Sequence, residues 1–151
     1  MKTSLYSQHV KLDSKIVDFA GFDMPVSYPA GINKESAAVR ENVGVFDVSH
    51  MGEIFITGKN ALDFLQYVTT NDVSTLNPGN IQYTCFPNEK GGIVDDFLLY
   101  MISQNNYMLV VNAANLEKDL KWLKKNNIFK CIIDNQSNNY SLLAVQGPKS
   151  M

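Results

Sequence analysis

Apolar and polar positions are most regular between residues 81 and 111, where three apolar runs are cut by two polar turns. The first run, 81–86, follows the turn formers Asn77-Pro78-Gly79-Asn80 and ends at Asn88-Glu89-Lys90-Gly91. The second, 93–100, ends before Gln104-Asn105-Asn106, and the third is 107–111. β-branched and aromatic residues bounded by turn chemistry at this spacing predict a three-stranded antiparallel meander.

Helical spacing flanks it. Asn60 precedes Ala61, Leu62, Phe64, Leu65 and Val68, a stripe that predicts a packing helix ending near Asn71-Asp72. A second helix is predicted over 115–125, with Leu116, Leu120 and Leu123 inward, Glu117 opposite Lys121, and Lys118, Lys121, Lys124 and Lys125 on a solvated face. A third, over 34–42, has Asn33 as its cap, Ala37, Ala38 and Val39 near its buried side, and Gly44 as its stop. Further strands are expected at 54–57, 129–134 and 141–146, the last as an inner strand. The first thirty residues show little periodicity but many aromatics and turn formers, as in an apolar loop laid on another surface. Strands and helices interleave without a strict βαβ repeat, so the predicted class is α+β with a mostly antiparallel sheet and packed helices.

Within the central run, Gly91-Gly92-Ile93-Val94-Asp95-Asp96-Phe97-Leu98-Leu99-Tyr100, strand alternation sends Asp95 and Asp96 to opposite faces. At least one carboxylate then meets a packed layer, which is costly unless it is hydrogen-bonded, paired or facing a wet pocket. Capping a loop or forming a surface ion pair are the plainer alternatives. Asp96 shares a side with Leu98 and Tyr100, and on the next strand Met108 and Val110 share a side with Asn112. An Asp and an Asn at the ends of adjacent apolar strands are expected to make one polar spot in a small-molecule cleft, unless Asn112 caps the following helix. Ser49-His50-Met51 lies on a bend between two apolar runs. Sequence neighbours on an extended chain face opposite ways, so Ser49 and His50 do not form a nucleophilic pair.

Composition narrows the function classes. The 151 residues are 45% hydrophobic, enough for a core, and carry a net charge of −2 with no basic run longer than Lys124-Lys125, which disfavours nucleic acid. No glycine-rich phosphate loop is present. Cys85 and Cys131 lack metal-ligand spacing and read as reduced core thiols; no metal is expected. No stretch has the length of a membrane span and residues 1–11 hold no apolar leader core, so a cytoplasmic location is the expectation. Gly147-Pro148 begins a turn and Lys149-Ser150-Met151 stops where an element should follow, which suggests a truncated chain.

Taken together, several stretches resemble the glycine cleavage system T protein, the folate-dependent aminomethyltransferase. These are Thr3, Leu5-Tyr6, His9, Lys15, Val17-Asp18-Phe19-Ala20-Gly21-Phe22-Asp23-Met24-Pro25-Val26 and Tyr28, then Arg40 and Val43-Gly44-Val45-Phe46-Asp47-Val48-Ser49-His50-Met51-Gly52-Glu53. Thr70-Asn71-Asp72, Gly91 to Asp96, Val111-Asn112-Ala113 and Ala144-Val145-Gln146-Gly147-Pro148 continue the pattern in the same order. Phe22 stands where that family commonly has Trp.

The resemblance implies transfer of an aminomethyl group from the lipoyl arm of the H protein to tetrahydrofolate, with release of ammonia. It makes tetrahydrofolate a substrate and the lipoylated H protein a partner. It places Asp96 beside the pterin as the catalytic carboxylate, with Asn112, Met51, Tyr83, Tyr100 and Val110 lining the pocket. It also implies that the C-terminal half is absent. Residues 1–53 would be the first segment of a discontinuous first domain, 54–136 a second α+β domain, and 137–151 the strand returning to the first. Such a fragment is expected to be without turnover. Relatives on the same scaffold offer two other readings: a folate-dependent demethylase, including the folate domains of sarcosine and dimethylglycine oxidases, and a non-enzymatic folate-binding scaffold for iron–sulfur assembly. Met1 opening directly on the motif, with no flavin domain before it, disfavours the oxidase form.

Overall fold

The computed structural model describes all of residues 1–151. Its contacts divide the chain into two units, one formed by residues 1–50 with 140–151 and the other by residues 51–139.

The second unit holds a five-stranded antiparallel sheet. Its strands are β4 (Gly52–Thr57), β5 (Ile81–Pro87), β6 (Ile93–Ser103), β7 (Asn106–Val111) and β8 (Ile132–Asn135), in the order β5-β6-β7-β4-β8. The expected meander is therefore present and is extended by β4, which pairs with both β7 and β8. Two helices, α3 (Ala61–Val68) and α4 (Leu116–Asn126), supply the rest of the core. Alternation decides which side chains meet them: Ile54 and Ile56 of β4, Phe97 and Leu99 of β6, and Leu109 and Val111 of β7 are buried with Phe64, Leu65, Leu120 and Leu123. Across this layer Leu99 lies opposite Leu109, and Leu109 opposite Ile54. Phe86 stacks on Phe97 with ring centroids 4.1 Å apart and on Trp122 at 4.8 Å.

The helix ends differ from expectation. Helix α3 stops at Val68, where the Thr69 hydroxyl donates back to the Leu65 carbonyl at 2.8 Å and the chain turns extended. Asn60 makes no cap bond; its amide donates to the Phe129 carbonyl at 3.1 Å. Lys118 is not purely solvated, because its ammonium donates to the Val94 carbonyl at 2.6 Å. Strand β8 is shorter than 129–134, since residues 127–131 form a tight turn in which the Asn127 side chain binds both N–H and C=O of Cys131.

The first unit contains α1 (Tyr6–Lys11), a hairpin of β1 (Lys15–Phe19) and β2 (Phe22–Ser27), α2 (Ile32–Glu41), and a second antiparallel pair, β3 (Gly44–Asp47) with β9 (Leu143–Gln146). The expected irregular loop over the first thirty residues is thus corrected to a helix and a hairpin. Ala20 and Gly21 turn it with φ of 53° and 82°, the double left-handed geometry that matches strand twist. Two further corrections concern α2 and β9. No residue of α2 is buried, the helix follows Gly31 without a side-chain cap, and Gly44 opens β3 instead of ending the helix. Strand β9 is not an inner strand: Leu143 and Val145 are exposed, as are Val45 and Phe46 of its partner. No helix of either unit is long and apolar enough to cross a membrane.

Candidate functional site

Strand β6 separates its two carboxylates as alternation requires. Asp95 falls on the core face and is only 7% exposed; Asp96 falls on the opposite face and is half-buried. The Asp96 face can be read from the register. Cys85 lies opposite Asp96, Tyr83 opposite Leu98, and Ile81 opposite Tyr100. On the other side Leu98 lies opposite Val110 and Tyr100 opposite Met108, and Val110 is in turn opposite Glu53. This row contains Tyr83, Val110 and Tyr100 of the six sequence-predicted site residues, with Asp96 in it.

The remaining two, Met51 and Asn112, lie just beyond the last pairing of β4 with β7, Gly52 opposite Val111, so they leave the sheet at the same end. The end is closely packed. A Cβ on Gly52 would sit 2.6 Å from Leu116 Cδ1 and 2.9 Å from Val111 Cγ2, so glycine is what lets α4 approach the sheet here.

Hydrogen bonds join these groups selectively. The Tyr83 hydroxyl donates to Asp96 Oδ2 at 2.6 Å, and this bond, then the carboxylate's charge, raises the phenol above its ordinary value. Asn112 does not cap the next helix. Its Nδ2 donates to Asp95 Oδ1 at 3.1 Å and to the Asp96 carbonyl at 3.0 Å, and Asn115 Nδ2 donates to the same Asp95 oxygen at 2.9 Å. Asn112 is thus pinned to the backbone beside Asp96, whereas no hydrogen bond joins Met51, Tyr100 or Val110 to the carboxylate. The expected cleft is an open face in this chain: Tyr83 is 63% exposed, and Asp96 lines neither the cavity of the first unit nor the smaller one beside Leu62, Val73 and Tyr107.

The larger cavity, about 680 Å³, belongs to the first unit and is lined by Tyr28, Glu35, Val39, Val45, Phe46 and Asp47 among others. Behind it lies a hydrogen-bonded chain that sequence reasoning did not find. Asp47 Oδ2 accepts from the Thr3 hydroxyl at 2.7 Å and from His9 Nε2 at 2.8 Å, while the Tyr28 hydroxyl meets His9 Nδ1 at 2.8 Å. Burial acts to raise Asp47, but bonds from His9, Ser49 and Thr3 outweigh it and hold the carboxyl below its ordinary value. Tyr28 is raised, first by burial and then by the charges of Asp47 and Glu35. The network ties α1, β2 and β3 together. Ser49 exchanges hydrogen bonds with Leu142, not with His50, and His50 packs edge-on against Phe19 at 5.4 Å.

Two acids of the second unit were also missed. Glu53 is 1% exposed, neither of its carboxylate oxygens has a partner, and burial pushes it up to about 7. Asp119 is fully buried, and burial, then the neighbouring Asp95 carboxylate, push it up to about 8. A signal for Asp119 existed, since 116, 119, 120 and 123 form one i, i+3, i+4, i+7 stripe and place a carboxyl among its leucines. Glu53 had none, because its side of β4 alternates with Ile54 and Ile56 and reads as a solvent face.

Residues 5–151 match the model of the GCVT N-terminal domain. This chain belongs to that family. An aminomethyltransferase of Flavobacterium psychrophilum is 54% identical over 148 residues, covering 98% of this chain and 41% of the relative. One of Thermosipho melanesiensis is 52% identical over 149 residues, again 98% against 41%. Among solved structures, the glycine cleavage system aminomethyltransferase T of Bartonella henselae superposes with a TM-score of 0.92 at 37% identity, covering 99% of this chain and 41% of that one. The chain therefore spans about two fifths of the length of the relatives it matches, and its α+β fold is that of the corresponding part of the T protein.

Proposed function

We propose that this chain is the pterin-holding part of an aminomethyltransferase. The complete protein passes the one-carbon unit of an aminomethyl group, carried on the lipoyl arm of the H protein, to tetrahydrofolate, giving 5,10-methylenetetrahydrofolate and ammonia. The observation that carries this reading is the Tyr83–Asp96 bond on an apolar face, with Asn112 held beside it. Asp96 is the catalytic residue. On the face it shares with Leu98, Val110 and Tyr100, its carboxylate stabilises positive charge developing at the transferred carbon without itself moving a proton. Tyr83 fixes the carboxylate's direction, the apolar row takes the pterin's flat face, and Asn112 and Met51 close one end.

In this reading the unit of residues 51–139 is the second domain expected over 54–136, and residues 1–50 with 140–151 belong to a discontinuous first domain. The protein is cytoplasmic, and the 151 residues alone bind folate weakly or not at all and do not turn over. The names carried by the relatives favour aminomethyl transfer over the demethylase and scaffold readings. The test is calorimetric titration of tetrahydrofolate into this chain and into the complete protein. Binding by the complete protein, lost in its Asp96→Asn and Asn112→Ala variants, is the expected result. Binding unchanged in both variants would remove the pocket from this face.

A further inference from the structure

Asp95 and Asp119 present an unmatched set of acceptors. Asp95 Oδ1 takes two amide N–H bonds, from Asn112 and Asn115, whereas Asp95 Oδ2 and both oxygens of Asp119 are buried without any donor. Asn115, which bonds Asp95, and the buried Asp119 lie four residues apart at the start of α4, so the helix turns both toward the same carboxylate. Two neighbouring carboxylates out of water repel strongly unless a cation or a proton lies between them. The nearest cation, Lys118, is spent on the Val94 carbonyl. One proton resolves the arrangement, because a single O–H donates to one orphan oxygen from the other residue.

We propose that Asp119 is a positioning residue whose protonated carboxyl donates to Asp95 Oδ2, and that this shared proton orients the Asn112 amide for the ligand. The link runs through Asn112 Nδ2. With Asp95 Oδ1 and the Asp96 carbonyl both acceptors, a flipped amide would set its own oxygen against two oxygens. The held orientation leaves Asn112 Oδ1 with no protein donor, an acceptor beside Asp96 for an N–H of the ligand. The ligand's identity, a reduced pterin with its amide-like N–H edge, rests on the function proposed above; the hydrogen bonds do not. The charges acting on Asp119 are those of Asp95 on the same face of β6, Asp96 on the far face, and Lys118 from its own helix. Burial and Asp95 hold the carboxyl protonated to about 8, so the device operates at neutral pH.

The test uses the complete protein with tetrahydrofolate as the probe, and the variants Asp119→Asn and Asp119→Leu. Asparagine keeps a donor for Asp95 without a titrating proton; leucine removes the donor. At about pH 7, Asp119→Asn is expected to bind within about twofold of wild type and Asp119→Leu about tenfold more weakly. Wild-type binding should weaken about tenfold between about pH 7 and pH 9 as the proton is lost, and Asp119→Asn should not follow. Leucine binding like wild type, or the same pH dependence in the asparagine variant, would overturn the proposal. If the wild type binds no tetrahydrofolate, the folate reading fails separately, and thermal unfolding from about pH 5 to about pH 8 decides the shared proton. A midpoint that falls with pH in wild type and stays flatter in Asp119→Asn supports it; parallel slopes overturn it.

Discussion

Tyr83 and Asp96 meet diagonally across β5 and β6, the phenol donating to Oδ2 at 2.6 Å from a position two register pairs away, the next on that face. The pair can be read directly by spectroscopy. Because the carboxylate's bond and charge both raise the phenol, Asp96→Asn is expected to return Tyr83 toward its ordinary value of 10.0. An ultraviolet or NMR titration of this chain checks it, and an unmoved titration would mean that the bond does not form in solution.

Opposite faces predict opposite defects for the two neighbouring aspartates. In the complete protein Asp96→Asn should lose transfer by roughly 10²-fold or more with little change in unfolding midpoint, as expected for a group that stabilises developing charge. Asp95→Asn should lose less activity but about 1–3 kcal/mol of stability, since it breaks a buried network. Steady-state kinetics beside denaturant unfolding separates them. Equal losses of activity would place the chemistry on both faces.

Glu53 makes the stability of the chain fall between mildly acidic and neutral pH. Its carboxyl rises on folding from 4.5 to about 7, so the folded state holds the proton more tightly than the unfolded chain does. Stability from this group is complete below 4.5 and is lost as pH rises through about 7. Glu53→Gln is expected to flatten the fall in unfolding midpoint across that window. An unchanged slope would show that Glu53 finds a partner on ionising.

Asp47 behaves in the opposite sense. Its carboxyl is held below the ordinary 3.8, so its contribution is present above that value and is lost as acid protonates it. Asp47→Ala strands the Thr3 hydroxyl, His9 Nε2 and the Ser49 N–H, and should destabilise the first unit by about 1–3 kcal/mol. Hydrogen exchange at α1 and β3 reports it locally, and protection equal to wild type would show the network to be dispensable.

The elements with strong periodicity, β5 to β7 and helices α3 and α4, were legible because one face of each is buried against the other and the pattern carries that burial. The hairpin of β1 and β2 was not. Its strands are mostly half-exposed, and Ala20-Gly21 is a weaker turn signal than Asn-Gly. Helix α2 shows the converse error, since apolar Ala37, Ala38 and Val39 implied a buried side that these residues do not have here.

For the candidate site, alternation alone sends Asp95 and Asp96 to opposite faces and lines up Leu98, Tyr100, Val110 and Asn112, because a period of two leaves no freedom within a strand. Family resemblance attached a chemistry to that face. Which donors reach which carboxylate was decided only by tertiary structure. Tyr83 finds Asp96 through the register of β5, Asp119 finds Asp95 through the packing of α4, and His9 finds Asp47 across 38 residues of sequence. Such pairings depend on distances set by packing between elements, and a linear pattern of polar and apolar residues does not encode those distances.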